Sequence, residues 1–120
     1  MSDTKAILTK FYDAVIRRDL ITARTFLSDD LVFVGLFETY PNADAYITAL
    51  TGLLSVTSRL DVKTIIAEGN QAAIFFELET GAPAEAITLV AEWHQFMNGK
   101  IVRVESAFDG RPFAAMFNGS

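Results

Sequence analysis

The chain has 120 residues, 51% of them hydrophobic and ten of them Phe, with a formal net charge of −5. That length makes one domain, residues 1–120, with room for a real core, and the acidic balance argues against nucleic acid, which asks for a basic stripe. With no Cys and a single His, disulfides, thiol nucleophiles, thiolate metal sites and a histidine zinc cluster are excluded, and no metal or cofactor is expected.

No window reaches about eighteen consecutive apolar residues, and the opening MSDTKA has no apolar signal region. The reading is a soluble, cytoplasmic protein with no membrane partner. Ten Phe exceed what a small domain needs for packing, so some of the rings are expected to line an internal hollow.

In chain order, Ile7, Leu8, Phe11, Tyr12, Val15 and Ile16 form one apolar stripe of a helix over residues 3–17, capped by Ser2 or Asp3. Arg17 and Arg18 fall at its C-terminal end, where positive charge suits the helix dipole. Asp19 caps a short second helix that Ser28-Asp29-Asp30 ends. Residues 31–37, LVFVGLF, read as a buried strand, with Gly35 marking a bulge, a bend or a close backbone approach. Glu38 to Pro41 read as a loop, and Asn42 caps a third helix to about Leu54.

Arg59 to Glu68 alternates Leu60, Val62, Thr64 and Ile66 against polar neighbours. Gly69-Asn70 turns it into the strand 72–80, whose Ile74, Phe76 and Leu78 share a face opposite Ala73, Phe75, Glu77 and Glu79. A loop over 81–85 leads to AITLVAEWHQFMNGKIVRVESAFD, a hairpin built on Asn98-Gly99, the pair that best tolerates the two positive φ angles of a type I′ turn. An unbroken register pairs Trp93 with Val104 and Gln95 with Val102, and opposed residues share a face. One face then carries Ile87, Leu89, Ala91, Trp93, Gln95, Val102, Val104, Ser106 and Phe108, and its apolarity assigns it to the interior. The other carries Val90, Glu92, His94, Phe96, Ile101, Arg103 and Glu105, which suits solvent or a partner subunit. In the tail, Phe113 and Phe117 are placed to close one end of the sheet. Helices set against an antiparallel sheet make an α+β domain.

The segments FYDAVIRRDLITARTFLSDDLVF, GNQAAIFF and FMNGKIVRVESAFDGRPF resemble the nuclear transport factor 2-like superfamily, in its SnoaL-like and ketosteroid-isomerase-like branch. The resemblance covers nearly the whole chain. It implies a curved antiparallel sheet wrapped around N-terminal helices as a cone (a cystatin-like α+β barrel), a deep apolar pocket, and a homodimer through the outer sheet face.

In ketosteroid isomerases an Asp base works beside an oxyanion hole of a Tyr and a protonated Asp, a system that is itself a standard worked case of pKa tuning. Carried over position by position, the helical Tyr falls on Phe11, the base on Gly35 and the strand Asp on Trp93. That leaves the family-type acid–base positions empty and the catalytic residues unknown. The expected pocket lining is Phe11, Tyr12, Val15, Phe33, Gly35, Phe37, Phe76, Leu78, Trp93, Gln95, Val104, Ser106 and Phe108.

His94 titrates near neutral pH as a residue type, yet the hairpin register turns it outward; only a bulge would bring it in. Glu38 falls at the pocket mouth by analogy with the family, and Tyr12 could offer a hydroxyl. Gln95 and Ser106 are the polar groups of the assigned inner face and are read as orienting groups. The leading functional reading is a binding protein for an apolar small molecule. The alternative is an isomerase, cyclase or dehydratase acting by proton transfer on an apolar carbonyl or polyketide-like substrate. A dimerisation module is a third reading.

Overall fold

The apolar stripe of the first helix finds a sheet to cover. In the computed structural model, which describes residues 3–115, Leu8, Phe11, Tyr12, Ala14 and Val15 of α1 (Thr4–Ile16) are buried against strands β3 (Thr57–Glu68) and β4 (Gln71–Thr80). Asp3 occupies the cap position without a side-chain bond to the helix, and Ser2 lies outside the described residues. Arg18 takes a positive φ of 62° after α1, which ends the helix, and donates to the Thr57 carbonyl. Asp19 then accepts from the Thr22 amide to cap α2 (Leu20–Arg24), as Asn42 accepts from Ala45 to cap α3 (Ala43–Ser55). Both are the side-chain capping bonds their residue types favour.

The remaining strands are β1 (Leu27–Val34), β2 (Thr39–Tyr40), β5 (Ala86–Met97) and β6 (Lys100–Ala107), and a short 3₁₀ turn covers Arg111–Phe113. They form one curved sheet in the order β2-β1-β6-β5-β4-β3, with α1 and α3 packed on it. The α+β class holds. The expectation of a purely antiparallel sheet is corrected in one place, because β1 runs parallel to β6. That pairing starts at Leu27, drawing Asp29 and Asp30 into the strand. The strand stops short of Gly35, whose amide donates to the Glu38 carbonyl. The chain therefore turns through Leu36 and Phe37 and returns as β2 against Phe33 and Val34.

Bulges set which side chains face inward. The Asn98-Gly99 turn forms with φ of 53° and 76°, and Met97 opposes Lys100 and Phe96 opposes Ile101. Beyond that pair the register breaks: Gln95 opposes Arg103, His94 opposes Val104 and Trp93 opposes Glu105. Val102 is thus an extra residue on β6, which lets Ile101 and Val104 both be fully buried. On β5 the faces are the reverse of those expected. Thr88, Val90, Glu92, His94 and Phe96 are buried, whereas Trp93 is 45% exposed and Leu89 60%. A second bulge at Lys63 does the same on β3: Leu60, Val62 and Ile65 meet the core, and Ile66 is turned out.

Candidate active site

Three elements bring four polar side chains together inside this apolar shell. Tyr12 comes from α1, Tyr46 from α3, and Glu92 and His94 from the inner face of β5. The Tyr12 hydroxyl donates to Glu92 Oε1, and His94 Nε2 meets the same oxygen at 3.1 Å. Tyr46 shares the cavity wall with Tyr12 and Glu92. Residues i and i+2 share a strand face, so Glu92 and His94 arrive as a pair, and the bulge at Val102 lets β6 pack beside them.

Burial governs the chemistry of this cluster. Burial raises the Tyr12 phenol well above its usual value, with the negative charge of Glu92 adding to the shift. Burial likewise raises Tyr46, again with Glu92 contributing. Both phenols therefore stay protonated and act as donors at neutral pH. His94 is fully buried, and its Nδ1 has no partner. The neutral ring with its proton on Nε2 fits this setting: Nε2 donates to the carboxylate and the orphan atom is a lone pair rather than an unpaired N–H.

Above the cluster lies a cavity of about 400 Å³. Tyr12, Tyr46 and Glu92 stand on its wall with Val15, Phe33, Phe76, Leu78 and Phe108. Ser106, which opposes Glu92 across the β5–β6 ladder, adds a hydroxyl to the lining. Glu38 is exposed and belongs to the lining near Tyr40 and Phe37. Burial and the Glu38 charge raise the Tyr40 phenol. Phe37, Phe108 and Phe113 stack edge to face in sequence, at 6.4 and 5.9 Å between ring centroids. Phe117 lies outside the described residues. Gly35 is there because of a close approach: a Cβ would stand 2.9 Å from Phe33 Cε1 and 3.1 Å from the Glu38 carbonyl oxygen.

Of the residues read from the sequence as pocket lining, Tyr12, Val15, Phe33, Gly35, Phe37, Phe76, Leu78, Ser106 and Phe108 stand on this cavity. Phe11 and Val104 do not; they are fully buried in the core behind it. Trp93 and Gln95 lie on the opposite face of β5, where Trp93 Nε1 donates to Gln71. On the outer face Arg103 donates to Glu105. Glu77 and Glu79 are on the outer face, paired with Arg59 at 2.8 and 3.1 Å.

Glu92 and Tyr46 are polar groups of the cavity wall that the sequence reading left out, and His94, which it turned outward, lies inside behind Glu92. The signal for them was Ile101 and Val104, two large apolar residues three apart on a strand, which only a bulge can bury together. No group of three or more His, Cys, Asp or Glu side chains placed to hold a metal occurs among the described residues.

The model of the SnoaL-like domain family matches residues 8–104. The chain belongs to that family. No curated protein matches it.

The fold of this SnoaL-like domain recurs in solved structures of low sequence identity. A protein from Kribbella flavida superposes with a TM-score of 0.86 at 18% identity, covering 98% of this chain and 97% of the other. A nuclear transport factor 2-like protein of unknown function from Cytophaga hutchinsonii gives 0.81 at 16%, covering 91% and 92%. A candidate polyketide cyclase from Sinorhizobium meliloti gives 0.76 at 14%, covering 85% and 94%. Tyr12 is the hydroxyl that α1 presents to the cavity, and Glu92 is the carboxyl that β5 presents.

Proposed function

We propose that the cavity holds an apolar carbonyl compound and that Glu92 moves a proton on it, chemistry of the isomerase, cyclase or dehydratase type. The observation carrying this reading is a carboxylate on an apolar wall whose Oε1 takes both Tyr12 and His94, leaving Oε2 to a ligand. A general base must lie within hydrogen-bond reach of the proton it removes. In a site with little water its charge is also weakly screened. Charge developing on the substrate's carbonyl oxygen needs a donor, and Tyr46 and Ser106 are two hydroxyls on the lining that are not committed to Glu92. Binding comes from the rings, at about 25 cal/mol per Å² of apolar surface before association costs are subtracted.

The proton that Glu92 takes from the carbon next to the carbonyl leaves an enolate. Its return to a different carbon is isomerisation, loss of a neighbouring hydroxyl is dehydration, and attack on a second carbonyl of the same molecule is cyclisation. The candidate polyketide cyclase that shares the fold makes a polyketide-like substrate the class to try first.

The test needs no knowledge of the natural substrate. Deuterium uptake at the α-carbons of 2-tetralone in heavy water, followed by proton NMR, is expected to exceed the buffer rate, and Glu92→Gln is expected to remove about 100-fold or more of that excess. Uptake unchanged in Glu92→Gln would refute the role. Binding of 2-tetralone without any exchange would leave the second reading, a carrier of apolar molecules, which Gly35 at the family's base position favours.

We also propose a homodimer, seated on the outer sheet face. The residues carrying it differ from those expected: Val90, His94, Phe96 and Ile101 are inside, and Ile66, Ile87, Leu89, Trp93 and Met97 are the large apolar groups left exposed on the described part of the sheet.

A further inference from the structure

We infer that the cavity rejects acids: its occupant carries no carboxylate, sulfonate or phosphate and is an uncharged apolar molecule with a polar group at its deep end. The inference rests on the reading of the cavity as a ligand site and adds the charge class of the ligand.

The lining contains two charged residues, Glu38 and Glu92, and no Lys, Arg or His. Glu38 is exposed and Glu92 is buried, so a carboxylate stands at the open end and another at the deep end. His94 gives its Nε2 to Glu92 from behind and does not reach the lining. The nearby arginines are committed elsewhere. Arg111, next to Phe113, is held by both oxygens of Asp109, and Arg18 donates to the backbone of Ile16 and Thr57. An anion entering the cavity would shed its water without gaining a counter-ion, and would meet Glu92 across a weakly screened gap. A neutral carbonyl needs only a donor, and the floor supplies protonated phenols.

The test uses one aromatic body with three head groups. N-Phenyl-1-naphthylamine, whose fluorescence rises in apolar sites, reports occupancy; Leu78→Trp, which fills the cavity, controls for binding elsewhere by abolishing that rise. Displacement of the reporter is then measured with 2-acetylnaphthalene, 2-naphthylmethylamine and 2-naphthoate at neutral pH. The ketone is expected to displace it at least ~10-fold more effectively than naphthoate, with the amine no worse than naphthoate, given unit charges a few ångströms apart in a weakly polar medium. Glu92→Gln is expected to close most of the gap between ketone and acid, and Glu38→Gln, at an exposed position, to narrow it less.

Naphthoate competing as well as the ketone in the unmodified protein would overturn the inference while leaving ligand binding intact. A reporter that shows no cavity-dependent signal would instead refute the ligand-site reading itself. A gap that persists undiminished in both Gln variants would overturn the assignment of the selectivity to these carboxylates.

Discussion

Tyr12 and Tyr46 are held at the cavity floor with their protons, and this has a measurable signature. All three tyrosines of the chain have raised values, Tyr12 and Tyr46 well above the ordinary 10.0 through burial first and Glu92 second, and Tyr40 through burial and Glu38. A group whose folded value exceeds its unfolded one contributes stability that is complete below the unfolded value and is lost as pH rises through the folded one. The folded protein should therefore show less phenolate absorbance at pH 10 than the unfolded chain, and its urea midpoint should hold up to that pH and fall above it. Reversible ionisation of all three phenols at about pH 10, with circular dichroism unchanged, would contradict the buried cluster.

The bulge at Val102 decides how β6 beyond Ile101 faces relative to β5. It is the single residue by which β6 falls out of step with β5, and a one-residue slip moves every side chain to the other face. Deleting Val102 would place Arg103 directly after Ile101, opposite Gln95, and give a regular ladder in which Ile101 and Val104 still face in and Arg103 and Glu105 face out. A register that instead buried Arg103 and Glu105 would cost several kcal/mol, a large share of a small domain's total stability. The deletion variant and Val102→Ala are therefore both expected to keep a cooperative thermal transition. Loss of that transition in the deletion variant alone would refute this register.

The whole molecule leaves an apolar sheet face uncovered. Leu89, Trp93 and Ile87 on β5 and Ile66 on β3 are between 45% and 64% exposed, and Phe75 lies between them, opposite Ala91 and Thr64. Contiguous exposed apolar groups of this kind mark association surfaces, and a stable interface needs about 800 Å² from each partner. Light scattering at micromolar concentration should give a dimer. Leu89→Glu with Trp93→Glu should give a folded monomer with unchanged far-ultraviolet circular dichroism. A wild-type monomer under those conditions would refute the dimer. No helix among the described residues is long and apolar enough to cross a membrane.

Local signals in the sequence determined the elements: the stripe of α1, the Asp19 and Asn42 caps, the Asn98-Gly99 turn and the alternation along β4 all depend on near neighbours and were legible there. The resemblance to the SnoaL-like branch fitted the same pattern. The facing of β5 was not legible, because hydrophobicity is a reliable guide to the inside only where no functional site interferes. Here both exceptions fall on one strand: Glu92 and His94 are buried in a hydrogen-bonded cluster with Tyr12, and Leu89 and Trp93 are exposed on the outer face. Each makes the wrong side look like the core. Only the pairing of β6 with β5 on one side and β1 on the other, contacts between residues distant in the chain, fixes the bulge at Val102. With Phe96 and Ile101 facing in, Glu92 and His94 follow on β5 by alternation, Trp93 faces out, and the bulge lets Val104 face in beside them.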